Sequence, residues 1–270
     1  MQINGKVVVV TGGGSGIGRE LVRQLIAGGA RVAAVDLNEQ NLHETADLLG
    51  TDRDKLSLHV ASVADRAAVE ALPAAVIAAH GTVDGLINNA GIIQPFVRLN
   101  ALEYEAIERV LHVNLYGVIY MVKAFLPHLL TRPQAHIVNI SSMGGFFPVP
   151  GQTLYGASKA AVKLLTEGLY AELLDSPVRV TVVFPGAIAT NISKNSGVNI
   201  SAPAGSEQAA RSFPTTPADK AARTIIDGMA RDQFQVYVGR DASLMNWLYR
   251  LSPRRATRFM FDRMKALLPQ

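Results

Sequence analysis

Seven short runs of β-branched and aliphatic residues, separated by segments of helical length, constrain this chain more than any other feature. They are Lys6–Thr11, Arg31–Asp36, Leu56–Val60, Val83–Asn88, His136–Ile140, Val178–Phe184 and Gln235–Val238. They read mainly as runs of Val, Ile, Leu or Ala rather than as apolar/polar alternation, the mark of strands covered on both faces. The intervening segments carry helical spacing, as in Leu21, Leu25 and Ile26, and about Glu103–Leu130 and Tyr155–Leu174. A break is expected in the first of these two long helices near Pro127. The pattern predicts an α/β fold: a doubly wound parallel sheet of about seven strands with helices on both faces. At 270 residues with 49% hydrophobic residues, one large aliphatic core can be built.

The first strand runs into Thr11-Gly12-Gly13-Gly14-Ser15-Gly16-Ile17-Gly18 and then into a helix. Glycines in such a turn let the backbone approach a pyrophosphate, which rests on the helix N-terminus. The spacing is Gly-x-x-x-Gly-x-Gly, which by itself is equally an ordinary strand-to-helix turn. Asp36 closes the second strand about 20 residues later, where a carboxylate can bind both hydroxyls of an adenosine ribose. It would repel a 2′-phosphate, and the following Leu37 offers no cation to attract one, so NAD is favoured over NADP. Tyr155 and Lys159 stand four apart, neighbours on one helix face. A free tyrosine titrates near pH 10, and an adjacent ammonium is expected to lower that value toward a useful range.

Taken together these residues resemble the classical short-chain dehydrogenase/reductase family over roughly residues 5–190. The likeness rests on the glycine turn Thr11–Gly18, Asn88-Asn89-Ala90-Gly91, Asn114, Ser142, Tyr155-x-x-x-Lys159, and Pro185-Gly186 with Thr190. It implies a Rossmann-type sheet and an NAD(H)-dependent interconversion of a secondary alcohol and a ketone. By the resemblance, Tyr155 is general acid in reduction and base in oxidation, and Ser142 bonds the substrate oxygen. Lys159 would lower the Tyr155 pKa and bind the nicotinamide ribose, and Asn114 would hold a water of a proton relay. The same likeness assigns the cofactor to Gly12, Ser15, Gly16, Ile17 and Gly18, to Asp36, Leu37, Ser62 and Val63, to Asn89, Ala90 and Gly91, and to Pro185, Ile188 and Thr190. Ser62 is a departure, since relatives usually carry an Asp there against the adenine. Gly144, Phe146, Phe147, Val149, Gln152, Ile93 and Gln94 flank the motifs, and their apolar bias suggests a hydrophobic substrate. The competing class is a protein that binds NAD(H) without turnover, against which the complete Asn-Ser-Tyr-Lys set argues.

The remaining features bound the organisation. Residues 1–240 read as one domain with a lid at about 190–216 that carries a short helix, ending at Thr216-Pro217 as N-cap and first-turn proline. Residues 241–270 read as a basic amphipathic helical extension. From Arg240 onward seven Lys/Arg face two Asp, so the tail holds +5 and the body −1 of a total of +4. That is a basic tail on a near-neutral body and does not indicate nucleic acid as a partner. Leu244, Trp247, Leu248 and Leu251 share one helical face; Ser252-Pro253 reads as a second helix start. An apolar stripe of Ala256, Phe259, Met260, Met264 and Leu267 follows. The tail is expected either to pack on its own domain or a partner subunit, or to lie on an anionic membrane surface. Relatives pair through the two long helices, which implies a homodimer, with a homotetramer as the alternative. No apolar run of transmembrane length and no leader pattern is read; the six histidines lack metal-ligand spacing, so no metal is expected; and the absence of cysteine fits a cytoplasmic protein.

Overall fold

A computed structural model describes residues 1–198, 215–265 and 268. Seven strands form one sheet: β1 (Val7–Thr11), β2 (Arg31–Asp36), β3 (Leu56–Val60), β4 (Gly85–Asn88), β5 (Ala135–Ile140), β6 (Val178–Pro185) and, last in sequence, Gln235–Val238. All neighbours are parallel, in the order β3-β2-β1-β4-β5-β6 and then Gln235–Val238. The four valines of β1 are fully buried, with alternate residues facing opposite covering layers. This is why the strand runs read without alternation.

Helices α1 (Gly16–Ala27) and Ala218–Ala230 cover one face, packing Leu21, Leu25, Ile225 and Met229 on Val8 and Val10. Helices α2 (Glu39–Asp47), α3 (Arg66–His80), α4 (Tyr104–Leu111), α5 (Gly117–Leu130) and α6 (Thr153–Glu172) complete the wrap. Of these, α3, α5 and α6 cover the other face, bringing Val76, Phe125 and Val162 into the apolar cluster that includes Val7 and Val9. Asn38 and Asp65 cap α2 and α3, accepting from the N–H of Asn41 at 2.9 Å and of Ala68 at 3.1 Å. The run Tyr104–Leu130 is long and apolar enough to match a membrane span by composition. Its apolar face, including Met121, Phe125 and Leu129, is instead buried on the sheet.

Two local expectations are corrected and a third is met in position. Pro127 does not break α5; its position is exposed, so the Lys123 carbonyl that it leaves unpaired can turn to water. The interruption lies earlier, at the π-helical turn His112–Tyr116 between α4 and α5. The helix expected from Thr216-Pro217 starts one residue later, at Ala218 with Pro217 as N-cap, and Thr216-Pro217 forms a two-residue strand, β8, whose Thr216 N–H donates to the Ala187 carbonyl at 2.8 Å beside β7 (Ile188–Ala189). Ser252 does stand at the N-cap of Pro253–Met264, yet its side chain makes no capping bond.

The tail forms two helices, Arg240–Leu251 and Pro253–Met264. Met245, Ala256 and Met260 enclose Phe147 in a third apolar cluster, so this segment is packed on the body of the protein. Full burial of each methionine contributes about 1.5–3 kcal/mol. Leu267 lies outside the described residues.

At the amino end of the sheet the buried Asp84 accepts from the Val7 N–H at 3.0 Å and from Arg132 Nε at 2.8 Å. It thereby ties β1 to the turn after α5. Asp84→Ala should destabilise the protein by about 2–3 kcal/mol, since bonds to a charged group are lost and a buried N–H is left unpaired. Urea denaturation at neutral pH measures this.

Candidate active site

At the carboxyl ends of the strands the chain turns to one side after β1 and to the other after β4, and a cleft opens between them. Its cavity volume is about 530 Å³. At one end lie Asp36, Leu37, Ser62 and Val63; at the other, Ser142, Tyr155, Lys159, Pro185, Ile188 and Thr190. Gly12, Ser15, Gly16, Ile17, Asn89, Ala90 and Gly91 line the middle.

The glycine turn is shaped for close backbone approach. Gly16 has φ +53°, a left-handed conformation that strains other residues. The N-cap of α1 is Ser15, whose side chain caps nothing, so the first-turn N–H groups are available to an anion. Gly18 does not line the cleft. A Cβ there would overlap the Gly12 carbonyl oxygen, so its smallness lets the helix pack under the turn. These features fit a dinucleotide: an uncapped helix start in the middle, a carboxylate at one end, and hydroxyl and ammonium groups at the other.

Asp36 is held by backbone, its two oxygens accepting from the N–H of Gly14 at 2.9 Å and of Asn38 at 3.0 Å. Leu37 is 73% exposed. The Ser62 hydroxyl accepts from the Ala64 N–H at 3.2 Å. Thr11 joins the two walls: its Oγ1 accepts from the N–H of Asn89 and of Ala90, both at 3.0 Å, while Asn89 Nδ2 donates to the Thr11 carbonyl at 2.9 Å.

The catalytic candidates converge from three elements. Ser142 follows β5, and its Oγ accepts from the Gly144 N–H at 3.0 Å. A Cβ on Gly144 would lie 3.4 Å from both Ser142 Oγ and Tyr155 Cε1, which places the two side chains together. Lys159 is buried, and its Nζ donates to the Ile140 carbonyl at 2.9 Å. Burial lowers its pKa to about 8. Tyr155 departs from expectation: burial pushes its phenol up, the hydrogen bond with Ser142 opposes this, and the Lys159 ammonium does not reverse it.

Asn114 is fully buried in the π-helical turn, one layer behind the cavity wall. Its Nδ2 donates to the Ile92 carbonyl at 2.9 Å and to Ser158 Oγ at 3.1 Å, and its Oδ1 accepts from the Ile92 N–H at 2.9 Å. It therefore fixes the Gly91–Ile92 loop against α6 rather than lining the cavity. A π-turn is a common device for aiming such a side chain.

Of the flanking residues, Ile93, Gly144, Val149 and Gln152 line the cavity; Phe146, Phe147 and Gln94 do not. Phe147 is turned into the cluster with the tail, and Phe146 packs edge-on to Phe184 and Tyr237. Phe96, Met143 and Ile192 line it and were missed, although Met143 directly follows Ser142 and was within reach of the same reasoning. Ile192 belongs to the short helix Ile192–Asn195, where Asn195 Nδ2 donates to Ser15 Oγ at 2.8 Å; the rest of the expected lid, 199–214, lies outside the described residues. Asp241, which no sequence signal marked, accepts from the Ala187 N–H at 2.7 Å and so anchors the Pro185–Ile188 turn.

A family model described as short chain dehydrogenase matches residues 6–201. A Mycobacterium tuberculosis protein named as an oxidoreductase, SadH, is 39% identical over 258 residues, 93% of this chain and 92% of its own. A Burkholderia phymatum short chain dehydrogenase/reductase in complex with NAD superposes with a TM-score of 0.85 at 28% identity, covering 94% of this chain and 96% of that one. A Burkholderia cenocepacia short chain dehydrogenase in complex with NADP gives a TM-score of 0.79 at 27% identity, over 96% of this chain and 99% of that one.

The Lys159 pKa of about 8, lowered from 10.5 by burial, has a consequence for stability. Between these values the unfolded chain binds more protons than the folded one, so this group makes stability rise with pH from about 8 to 10.5. Relative to Lys159→Met, wild-type protein should therefore gain stability between pH 8 and pH 10. Paired urea denaturation series across that range measure it.

Proposed function

The chain belongs to the short-chain dehydrogenase family, and from that premise we propose that it is an NAD(H)-dependent oxidoreductase interconverting a secondary alcohol and a ketone. The observation that carries this reading is the shared cavity: Ser142, Tyr155 and Lys159 line the same cleft as the glycine turn and Asp36. When bound, the nicotinamide cofactor supplies or accepts the hydride. The protein's part is orientation and the proton. With its pKa raised by burial, Tyr155 is a protonated phenol near neutral pH, ready to donate to a carbonyl oxygen in the reducing direction. In oxidation it must first lose that proton, which higher pH favours. Ser142, beside it, is placed to bond the same substrate oxygen and stabilise its developing charge. Lys159 would bind ribose hydroxyls, and Asn114 supports this wall from behind.

Asp36 supports NAD over NADP. Its carboxylate at the strand end suits ribose hydroxyls and repels a phosphate, and Arg19 is already engaged by the Gly14 carbonyl and by Glu44 at 2.8 Å. Ile93, Phe96, Met143, Val149 and Ile192 around the far end support a hydrophobic substrate. A panel of ketones and alcohols assayed with both cofactors tests the reading. NADH should exceed NADPH in kcat/KM by more than about tenfold, equivalent to about 1.4 kcal/mol. Tyr155→Phe should abolish turnover while sparing NADH binding, and retention of full activity by that variant on a confirmed substrate would sink the assignment.

Two surfaces support finer proposals on partners. Exposed Tyr104, Tyr116 and Leu164 on α4, the π-turn and α6 support homodimer formation through those helices. On the tail, exposed Leu244, Trp247 and Leu251 form one face of Arg240–Leu251, next to a helix bearing Arg254, Arg255 and Arg258. This combination supports peripheral contact with an anionic bilayer. The full chain should co-sediment with vesicles containing phosphatidylserine and lose most of that binding in Trp247→Ser/Leu251→Ser. Protein that stays in the supernatant at low salt rules the contact out.

A further inference from the structure

The N-terminus of α6 lacks a cap of its own. Its N-cap residue, Gln152, makes no side-chain capping bond. The first N–H groups of a helix have no intrahelical acceptor and need one from elsewhere, above all when they are buried. Here they are met from a distant loop. Gln94, fully buried and six residues past β4, accepts with Oε1 from the N–H of Leu154 at 2.7 Å and of Tyr155 at 3.0 Å. The same side chain donates through Nε2 to the Gly151 carbonyl at 3.1 Å. In return Gln152 Nε2 donates to the Gln94 carbonyl at 2.8 Å.

One primary amide thus joins three pieces of the site: the loop after Asn88–Gly91, the turn that closes the substrate side at Gly151, and the backbone of Tyr155 itself. Each half of the amide faces a different piece. The oxygen holds the helix end that carries the phenol, and the nitrogen holds the turn beside Val149 and Gln152, which line the cavity. An apolar side chain could fill the volume but could make neither bond. A Ser or Asp at position 152 could cap the helix locally but would not tie it to the other wall.

We propose that Gln94 is a positioning residue that supplies the missing N-cap of the helix carrying Tyr155 and ties the phenol to the substrate-side turn. This rests on the alcohol–ketone reading for its catalytic consequence, but not for the bonds themselves. The oxygen sets kcat, because it fixes where the phenol meets the substrate oxygen. The nitrogen sets the substrate KM, because it fixes the turn at Gly151.

Hydrogen exchange in the full-length wild-type protein comes first. The Leu154 and Tyr155 amides should exchange as slowly as those of mid-helix residues such as Val162, although helix-start amides ordinarily exchange freely. Gln94→Leu should lose that protection and lower kcat by more than about tenfold, with NADH affinity unchanged; tenfold corresponds to about 1.4 kcal/mol of barrier. Gln94→Glu keeps the acceptor and gives up the donor, so it should restore the protection and raise the substrate KM instead. Free exchange of both amides in wild-type protein overturns the proposal, even if Gln94→Leu fails to fold. So does a Gln94→Leu variant with wild-type exchange and kcat. A wild-type protein with slow amides but no activity on any alcohol or ketone would overturn the reaction assignment and leave the cap standing.

Discussion

The bonds of Thr11 across the gap between β1 and β4 hold the two halves of the molecule in one register. Strands on either side of that gap are connected in opposite directions, so the loops at their carboxyl ends diverge. Below the divergence the strands are joined by their own parallel ladder, Val8 to Val10 beside Gly85 to Ile87, and Thr11 extends that junction to the rim of the cleft. Thr11 Oγ1 accepts two backbone N–H groups from the far side, and Asn89 returns a bond to the Thr11 carbonyl. Asp84 fastens the same pair of strands at the opposite end. The cleft can be open at the top because the sheet is pinned both below it and at its rim.

The active-site groups are costly to hold, and the surrounding packing carries that cost. A buried ammonium with one carbonyl acceptor and a partly buried phenol are both less stable than they would be in water. They stay in place because α6 is packed on β5 and β6, its Val162 and Leu169 sharing one apolar cluster with Ile137 and Val180. The large apolar interface is thus a condition for the chemistry, not a separate matter of stability.

The central strand runs were legible because burial on both faces writes itself into composition, as in Val7–Thr11 and Arg31–Asp36; the half-buried edge strands Leu56–Val60 and Gln235–Val238 were found at the same bounds. The motif residues were legible through fixed local spacing, as with Tyr155 and Lys159 on adjacent turns. What escaped depends on distant partners. Pro127 looked like a break because the water available at its exposed position cannot be seen in a sequence. Thr216 looked like a cap because its real partner, the Ala187 carbonyl, is remote in sequence. The desolvation of the Tyr155 phenol belongs here too: spacing gives the neighbour, but only the fold gives the burial. Asp241 and Phe147 mark the limit, since neither local pattern says that one anchors the Pro185 turn and the other disappears under the tail.

The cluster of Phe147 with Met245, Ala256 and Met260 also imposes an order on synthesis. A ribosome makes every strand and every motif before it makes the residues that cover Phe147. As the chain emerges, the sheet and its glycine turn can assemble first, while the Phe147 ring stays uncovered and the Pro185 turn lacks Asp241. A nascent chain would pass through a stage with the nucleotide half built and the substrate half unfinished. Its last apolar surface closes only when the final helices leave the exit tunnel.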